Sequence, residues 1–439
     1  MSAVPPGSID ATAEYAADLC ARLIRFDTTN RGDGDSAGER GAAEFVAGLL
    51  EDAGAAPVLL ERTPGRTNVV GRIRGSDPNL PAVLVQAHLD VVPADPADWS
   101  VPPFGGLVRD GYVWGRGATD MKDMCATVLT VAHQWATQGR RPVRDIVMAF
   151  VADEEDDGVD GAAWLAAAHP ELFDGCVAAI SETGAVTHHV DGVRLYPVAT
   201  AERGTAHLRL TAHGRAGHAS RRNPGNPVTL LVDALHRIAN HDWPIRLTPP
   251  VRAFLTQAGA ALGVEPDFDD VDATIGKLGA AGVLVENTVR ASATPTMLRA
   301  GTKVNVIPST ATAELDVRVL PGIEDEVLAT IDRLLGPGIT REFVAHQSPV
   351  SAPIDTPWFT AMGDALRAHD PDAVVVPFCM GGGTDAKPFT SLGMACYGFA
   401  PLWVPPGYDY WTMAHGVDER VPVAGLGFGA RVLDTFLSR

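Results

Sequence analysis

Several polar residues in this sequence follow short apolar segments, and their types suit metal chemistry. In PAVLVQAHLDVVP, an apolar run ends in His88 and Asp90. If this run is a strand, a step of two residues keeps both side chains on one side. His88 could then bind a metal ion through one ring nitrogen, while the Asp90 carboxylate accepts a hydrogen bond from the other. A half-buried histidine beside a carboxylate, without a metal, is the alternative interpretation.

The second candidate is a run of acidic residues. DIVMAFVADEEDDG is an apolar segment that ends in five consecutive carboxylates: Asp153, Glu154, Glu155, Asp156 and Asp157. A solvated acidic loop is one interpretation, and a divalent cation that offsets the mutual repulsion is the other. Glu154 and Glu155 could divide the chemistry, because one can bind metal while its unligated neighbour takes a proton from the attacking water.

Three further residues extend this set. Asp120 follows Gly115 and Gly117 in WGRGATDMKDMC at the start of a helical pattern, where a carboxylate is often only a helix cap. Glu182 in AAISETG ends another apolar run. His415 in YWTMAHGVDERV stands far along the chain, and a single late histidine is more often structural.

Together these residues form a possible ligand set, namely His88, Asp120, Glu155, Glu182 and His415. Two imidazoles and three carboxylates suit zinc, cobalt or manganese better than calcium or a thiolate-rich structural zinc. Asp120 is the natural bridge between two ions ~3.5 to 4 Å apart. The sequence therefore predicts a two-metal hydrolase in which one of the two adjacent glutamates, Glu154 and Glu155, acts as general base.

The elements that must position these residues alternate between strands and helices. Apolar residues recur at helical spacing from about Ile9 to Phe26, behind Ser8 and Asp10 as candidate caps. PAVLVQAHLD, RDIVMAFVADEE and CVAAISETG are typical of strands, and helical patterns lie between them. This alternation predicts an α/β fold, with a mostly parallel sheet flanked by helices in the catalytic domain.

A different pattern begins near residue 203. GTAHLRLTAHG and TATAELDVRVLPG alternate apolar and polar residues with period two, which indicates antiparallel strands with one solvated face. A helical pattern, NPVTLLVDALHRIANH, lies between them. We therefore predict a catalytic metal-binding domain formed by residues 1–202 and 341–439, interrupted by an α+β insert at 203–340.

Composition restricts the partners. A formal charge of −19 over 439 residues disfavours nucleic acid and anionic membranes, which require clustered Lys and Arg. Five scattered cysteines without CxxC spacing favour a reducing cytoplasm. The segment MSAVPPGSIDATAEYAADLC has no basic and apolar signal region, so we expect neither secretion nor a membrane anchor. A small molecule is the expected substrate.

Nine sequence blocks carry a resemblance to a known family. They are, in order, HLDVVP, GRGATDMKD, ADEED, SETG, GRAGHAS, NVIPS, DVRVLPG, GGGTDAKPF and AHGVDERV. Over nearly its whole length the chain closely resembles the co-catalytic dizinc metallopeptidases of the aminoacylase, glutamate carboxypeptidase, acetylornithine deacetylase and succinyl-diaminopimelate desuccinylase family. The resemblance implies that His88, Asp120 and Glu182 hold one ion, and that Asp120, Glu155 and His415 hold the other.

The resemblance also implies roles for three other residues. Glu154 matches the general base, and Asp90 matches the residue that orients His88. The insert matches the family's lid and dimerisation domain, in which His218 of GRAGHAS polarises the scissile carbonyl, often of the partner subunit. A homodimer is therefore implied. From the residues alone, RAGHASRR could stabilise an oxyanion or bind a carboxylate, and a plain basic loop is the alternative.

Four residues are expected to bind substrate. Asn305 in KVNVIPS and Arg318 in DVRV match family residues that bind the substrate's carbonyl or terminal carboxylate. Pairing of Arg318 with a strand carboxylate alone is the alternative. Gly382 and Gly383 belong to a Gly-rich loop whose N–H groups can approach substrate. A phosphate-binding loop is disfavoured because no GKS or GKT follows.

One block departs from the family pattern. Two adjacent glycines commonly follow the paired glutamates, whereas EEDDGVDGAAW separates Gly158 from Gly161, which leaves the local turn open. The histidines outside the blocks are expected at the surface or in packing, among them His133, His169, His188, His189, His207 and His213.

We expect the enzyme to hydrolyse an amide bond in a small carboxylate-bearing substrate, such as a dipeptide, a C-terminal amino acid or an N-acyl amino acid. By resemblance, a glutamate at position 182, where some relatives carry aspartate, favours peptidase or deacylase activity. The alternatives are a desuccinylase, deacetylase or ureido hydrolase of a biosynthetic intermediate, or a non-catalytic binding relative.

Overall fold

The computed structural model describes residues 5–32, 34–156 and 158–439, so Asp157 of the acidic run and the first four residues of the N-terminal segment lie outside the described residues. The strands are β1 (Val58–Glu61), β2 (Thr67–Ile73), β3 (Ala82–His88), β4 (Leu107–Arg109), β5 (Tyr112–Trp114), β6 (Ile146–Val151), β7 (Cys176–Ser181), β8 (His188–Val190), β9 (Val193–Glu202), β10 (Gly204–His213), β11 (Gly217–His218), β12 (Ser292–Ala300), β13 (Val306–Ile307), β14 (Thr310–Val319), β15 (Ile339–Gln347), β16 (Val350–Ser351), β17 (Ala373–Met380), β18 (Ala395–Gly398) and β19 (Arg420–Pro422).

The α-helices are α1 (Ala11–Ile24), α2 (Arg40–Asp52), α3 (Lys122–Thr137), α4 (Ala162–Ala168), α5 (Pro227–Ala239), α6 (Pro249–Leu262), α7 (Val271–Lys277), α8 (Glu324–Leu335), α9 (Pro357–His369), α10 (Ala386–Ser391), α11 (Tyr410–Met413) and α12 (Val423–Leu437). Short 3-10 helices occupy Glu154–Asp156, Pro170–Phe173, Gly279–Leu284 and Glu286–Thr288. None of the helices in the described ranges is long and apolar enough to cross a bilayer.

A large sheet forms the centre of the predicted catalytic domain. Its strand order is β1-β2-β6-β3-β7-β18-β9-β16, with β8 and β17 also paired to β9. The central strands β6, β3, β7 and β18 run parallel to one another. Every residue of β3 and β6 is buried, as expected for parallel strands covered by helices on both faces. The predicted α/β class, with a mostly parallel central sheet flanked by helices, is confirmed.

Helices cover both faces of this sheet. On one face, α1, α3 and α12 pack together in the largest apolar core of the molecule. On the other face, α4 and α10 pack over a second core beneath the central strands. The predicted opening helix is present as α1, and Asp10 caps it by accepting a hydrogen bond from the backbone N–H of Ala13 at 2.9 Å.

The insert contains its own sheet. Its strands are antiparallel in the order β12-β14-β10-β15, and buried residues alternate with partly exposed ones along β10 and β14. The helices α5 and α8 cover its buried face. The period-two pattern therefore predicted these two strands and their one solvated face correctly.

The structure differs from the predicted domain limits in two places. The insert's sheet continues through β15 to Gln347, so the limit at 340 falls inside a strand. In addition, α6 lies within 203–340 but packs against β9 and β17 of the large sheet through Phe254 and Leu255. An amphipathic helix shows in its sequence that it has an apolar face, but not which sheet that face covers.

Candidate metal centre

Three neighbouring parallel strands bring candidate ligands to one edge of the large sheet. His88 is the last residue of β3, Glu154 and Glu155 lie in the 3-10 helix after β6, and Glu182 follows β7. Because the carboxyl ends of parallel strands meet at the same edge, these side chains converge there.

Two other segments approach the same edge. Asp120 precedes α3, and His415 follows α11. The helix-cap interpretation of Asp120 does not hold, because Met121 occupies the N-cap position of α3 and no side chain caps this helix.

The carboxylate of Asp120 lies between two imidazoles. Its Oδ1 is 3.0 Å from Nε2 of His88, and its Oδ2 is 3.2 Å from Nε2 of His415. Nε2 of His415 is also 3.1 Å from Oε2 of Glu155, and Nε2 of His88 is 3.8 Å from Oε2 of Glu182. The structure thus brings all five predicted ligand residues together, with each oxygen of Asp120 facing a different histidine.

Glu154 lies within the same cluster. Its Oε2 is 4.0 Å from Nε2 of His88. Ligand atoms of His88, Glu154 and Glu182 lie within 4.8 Å of one another, as do those of His88, Asp120 and Glu155. Distances alone therefore permit Glu154 either as a ligand or as a base beside the ligands.

The side chain of Asp90 has different hydrogen-bond partners from the one predicted from the sequence. Nδ1 of His88 lies 3.0 Å from the main-chain carbonyl oxygen of Asp90, whereas the Asp90 carboxylate is 3.7 Å away. That carboxylate instead accepts hydrogen bonds from the backbone N–H groups of Glu154 at 3.1 Å and Glu155 at 3.2 Å. The prediction assumed that the strand extends to residue 90, but β3 ends at His88, so the alternation of side chains no longer applies.

A buried polar cluster lies behind this turn. Arg66 contacts Glu39 at 3.0 Å and Asp153 at 2.9 Å, and the side-chain amide of Asn30 donates to Asp90 at 2.9 Å and to Asp153 at 3.1 Å. Asp153 has a positive φ of 71°, a backbone conformation that is costly for a residue other than glycine. These contacts hold the turn that presents Glu154 and Glu155.

Glycines accommodate the rest of that turn. Gly158 has φ +64°, and a Cβ atom at Gly161 would collide with the carbonyl oxygen of Ala152. The two separated glycines are therefore required for different reasons: Gly158 for its left-handed backbone conformation, and Gly161 for its close approach to the end of β6.

A second buried pair links the Asp120 and His415 segments. Glu419 accepts hydrogen bonds from the backbone N–H groups of Gly117 at 3.0 Å and Thr119 at 2.7 Å. Arg116 contacts Glu419 at 2.7 Å and donates to the carbonyl oxygen of His415 at 3.2 Å. The pair therefore connects two candidate ligands that lie almost 300 residues apart in the chain.

The electrostatics of the cluster favour added cations. Burial, together with the neighbouring carboxylates, raises the pKa of Glu154, and burial raises the pKa of Glu182 to about 7. Hydrogen bonds to Asp120 and Glu155 raise the pKa of His415 to about 10. Oε1 of Glu155 is buried and has no hydrogen-bond partner among the residues that the structure describes. Divalent ions would replace these protons and satisfy that oxygen, so the nitrogen and carboxylate donors fit the predicted metal pair.

The cluster opens into a cavity of about 1000 Å³. Its lining includes Glu154 and four of the five candidate ligands, Asp120, Glu155, Glu182 and His415, whereas His88 is fully buried and is not a lining residue. The insert's sheet contributes Thr205, His207, Arg318 and Gln347, and Gly383 and Lys387 also line the cavity. A small molecule in this cavity would contact both the carboxylate cluster and the insert.

Comparison with known proteins identifies the family. Residues 84–439 match the model of peptidase family M20/M25/M40, which is more than half of the chain. The chain belongs to this family. It is accordingly a metal-dependent hydrolase that acts on amide bonds of small substrates.

Relatives of this M20 peptidase span most of its length. Aminoacylase-1 of Homo sapiens is 28% identical over 370 residues, which cover 82% of this chain and 80% of the relative. A metallo-carboxypeptidase of Sulfolobus solfataricus superposes with a TM-score of 0.71 at 17% identity, over 96% of this chain and 98% of the other. A dinuclear metal-binding peptidase of Bacillus subtilis superposes with a TM-score of 0.63 at 12% identity, over 98% of each chain. These structures share the fold of the M20 chain.

The predicted substrate-binding residues of this M20 peptidase lie in different places. Arg318 and Gly383 line the cavity, whereas Gly382, His218 and Asn305 are not among its lining residues. His218 and Asn305 are exposed together on the small ribbon of β11 and β13. Arg318 also pairs with Asp316 through contacts of 2.7 and 3.0 Å, and its role in binding substrate stays a prediction.

Two residues that line the cavity of the M20 chain were not predicted from the sequence to do so. His207, expected at the surface or in packing, lies in β10 and lines the cavity. Lys387 also lines it, from the start of α10. The only signal for Lys387 was its place in the block GGGTDAKPF, directly after the Gly-rich loop.

Proposed function

We propose that this M20 peptidase uses two divalent ions, zinc first and cobalt or manganese as substitutes, to hydrolyse an amide next to a free carboxylate in a small substrate. The observation that carries the proposal is the Asp120 carboxylate, one oxygen of which lies 3.0 Å from Nε2 of His88 and the other 3.2 Å from Nε2 of His415. A carboxylate with one oxygen near each histidine would be able to contribute a ligand to both ions.

The proposed ligands divide between the two ions. His88, Asp120 and Glu182 would hold one, and Asp120, Glu155 and His415 would hold the other. When bound, the ions supply Lewis-acid activation of water and of the scissile carbonyl. The contact of 3.1 Å between His415 and Glu155 supports placing Glu155, rather than Glu154, with the second ion.

Glu154 is the proposed general base. Its carboxylate takes a proton from the attacking water and later returns it to the leaving amine. Burial raises its pKa, which makes its carboxylate a stronger base toward the attacking water. Asp90 supports this role by accepting the backbone N–H group of Glu154.

A carboxylate-bearing substrate is supported by the relatives. They are named an aminoacylase and a metallo-carboxypeptidase, and the substrates of both activities carry a free carboxylate beside the cleaved amide. A desuccinylase, deacetylase or ureido hydrolase would use the same chemistry on another acyl group. A non-catalytic binding relative is disfavoured, because the proposed ligands and base are all present.

A homodimer is the proposed assembly. The ribbon of β11 and β13 exposes His218 together with Val306, which is 46% exposed, and the adjacent Val304, which is 99% exposed. Exposed apolar residues on a small ribbon are suited to contact with a partner. His218 would then polarise the carbonyl in the neighbouring subunit's cavity. The cytoplasmic location inferred from the cysteines remains a prediction.

A substrate screen tests the proposed function. Purified protein loaded with Zn²⁺, Co²⁺ or Mn²⁺ is assayed against dipeptides, N-acetyl amino acids, N-succinyl amino acids and N-carbamoyl amino acids. We expect metal-dependent release of a free amino acid from a dipeptide or an N-acyl amino acid. Hydrolysis of only the succinyl or carbamoyl compounds would select the alternative enzymes, and no hydrolysis with any metal would refute the proposal.

A further inference from the structure

We propose that Lys387 binds the free carboxylate of the substrate and so makes the enzyme selective for acids over neutral amides. This inference rests on the proposed function and names a specificity residue for the same site. Lys387 lies in the first turn of α10, and its side chain lines the cavity that contains Glu154.

The position of the ammonium group is well defined. Nζ of Lys387 donates a hydrogen bond to Oε1 of Gln347 at 2.9 Å, and its side chain is only 10% exposed. A Cβ atom at Gly383 would collide with Nζ, so the ammonium lies directly against the Gly-rich loop. A carboxylate bound there could also reach backbone N–H groups of that loop.

Lys387 retains free hydrogen-bonding capacity. An ammonium has three donors, and among the described residues only Gln347 accepts from it at hydrogen-bond distance. The nearest carboxylate, Glu202, is 3.9 Å away and already accepts hydrogen bonds from the backbone N–H and the hydroxyl of Thr384. Two donors of Nζ thus remain available to a ligand.

The other cavity cation is already neutralised. Arg318 pairs with both carboxylate oxygens of Asp316, at 2.7 and 3.0 Å, and donates to the Thr205 hydroxyl at 2.8 Å. A substrate carboxylate would have to compete with Asp316 for this guanidinium. Lys387 has a neutral amide as its hydrogen-bond acceptor, and the nearest carboxylate among the described residues, Glu202, lies 3.9 Å away, beyond hydrogen-bond distance.

The surrounding charge makes this cation necessary for an anionic substrate. The cavity is lined by Asp120, Glu154, Glu155 and Glu182, and ions bound there are needed to compensate those carboxylates. A substrate carboxylate therefore needs a separate positive partner. Because Lys387 is mostly shielded from water, its attraction for that carboxylate is stronger than that of an exposed lysine.

The test compares an acid with its neutral analogue. The probes are the most rapidly hydrolysed acid of the screen and its C-terminal carboxamide, or N-acetylalanine and N-acetylalaninamide if the screen finds no substrate. Calorimetry measures the affinity of both probes for Zn²⁺-loaded protein that carries Glu154→Gln throughout, so that the acid is not hydrolysed during the titration. The proteins compared have the wild-type Lys387, Lys387→Met or Lys387→Gln, together with a matched control, Lys277→Met. Lys277 is exposed at the end of α7 and does not line the cavity.

We expect Lys387→Met and Lys387→Gln to weaken acid binding by about 10- to 100-fold, the effect of losing one charge-assisted hydrogen bond, with carboxamide binding and Zn²⁺ content unchanged. Lys277→Met should behave as wild type. Unchanged acid affinity in a folded Lys387 variant, equal losses for acid and carboxamide, or a wild type without preference for the acid would each overturn the inference. Because binding is measured without turnover, a failed proposed function would be recognised separately, by the absence of hydrolysis in the screen.

Discussion

At the scale of single residues, Glu154 and Glu155 are neighbours in the chain whose side chains meet different partners. Oε2 of Glu155 contacts His415, while Oε2 of Glu154 lies near His88. Both are held by backbone hydrogen bonds to one carboxylate, that of Asp90. Their separation into ligand and base is a proposal that a single substitution can test.

Glu154→Gln should lower kcat by roughly 100- to 10,000-fold, the usual contribution of a general base, because an amide cannot accept the proton of the attacking water. Zn²⁺ content, measured by atomic emission, should stay at the wild-type level. Asp156→Asn, in the same acidic run, is the control and should retain activity. A Glu154→Gln variant that loses one ion would instead identify Glu154 as a ligand.

At the scale of elements, the Arg116–Glu419 pair connects the segment before α3 to the segment before β19. Both side chains are almost completely buried, at 4% and 0% exposure. Glu419→Gln should leave the Arg116 charge uncompensated, lowering the free energy of unfolding by about 3 kcal/mol and weakening metal affinity by roughly 10- to 100-fold. Urea denaturation and metal titration measure the two effects.

The matched control for that prediction is an exposed ion pair. Arg246 and Glu326 contact each other at 2.7 Å with side chains 41% and 53% exposed. Glu326→Gln should change stability by less than about 1 kcal/mol and leave metal affinity unchanged. Equal effects of the two substitutions would contradict the proposed link between the ligand segments.

Asp370 joins α9 to the large sheet and should contribute pH-dependent stability. Burial opposes its ionisation, but hydrogen bonds from Arg194 at 2.6 and 2.7 Å and from Tyr196 at 2.8 Å outweigh burial and lower its pKa. A lowered folded-state pKa stabilises the fold above the unfolded value of about 3.9, and this contribution is lost as pH falls through the folded pKa. Asp370→Asn should therefore cost roughly 2 kcal/mol at pH 7, and this cost should shrink steadily as pH is lowered below about 3.9, as measured by denaturation over a series of pH values. A cost independent of pH would refute the charge-based explanation.

At the scale of the whole molecule, the proposed ions should stabilise the fold as well as catalyse. Removing them with a chelator leaves the carboxylates of the central site uncompensated, so we expect lower thermal stability and no activity. Zn²⁺, Co²⁺ or Mn²⁺ should restore both, because a ligand that binds only the folded state stabilises it. Ca²⁺, which prefers all-oxygen ligands, is the control and should restore neither.

The proposed dimer can be tested by mixing two inactive variants. If His218 acts across the interface, a heterodimer of His218→Ala and Glu154→Gln subunits has one complete site. Random mixing in a two-fold dimer should then recover about a quarter of wild-type activity. Refolded mixtures are assayed against each variant alone. No recovery in a confirmed heterodimer would place His218 in its own subunit's site, or outside the site altogether.

Much of the site could be predicted because its ligands are local features of strand ends. His88, Glu155 and Glu182 each follow an apolar run, and parallel strands bring such positions to one edge whatever the detailed packing. Asp10 as a helix cap and the two solvated strands of the insert were predicted for the same reason, since caps and period-two patterns depend on residues close together in sequence.

Several features were decided only by the tertiary structure. The hydrogen-bond partner of the Asp90 carboxylate depends on where β3 ends. The position of α6 depends on which sheet offers an apolar face. The charge of Arg318 is neutralised by Asp316, a side chain on the same strand. The Arg116–Glu419 pair joins residues 303 positions apart, and Lys387 became a candidate only through its nearness to Gly383. The sequence by itself determined which residues could hold metal, because residue type and strand-end position carry that information. Only the tertiary structure decided which charges are compensated and which remain available to a ligand, because compensation depends on distances between segments that the order of residues does not contain.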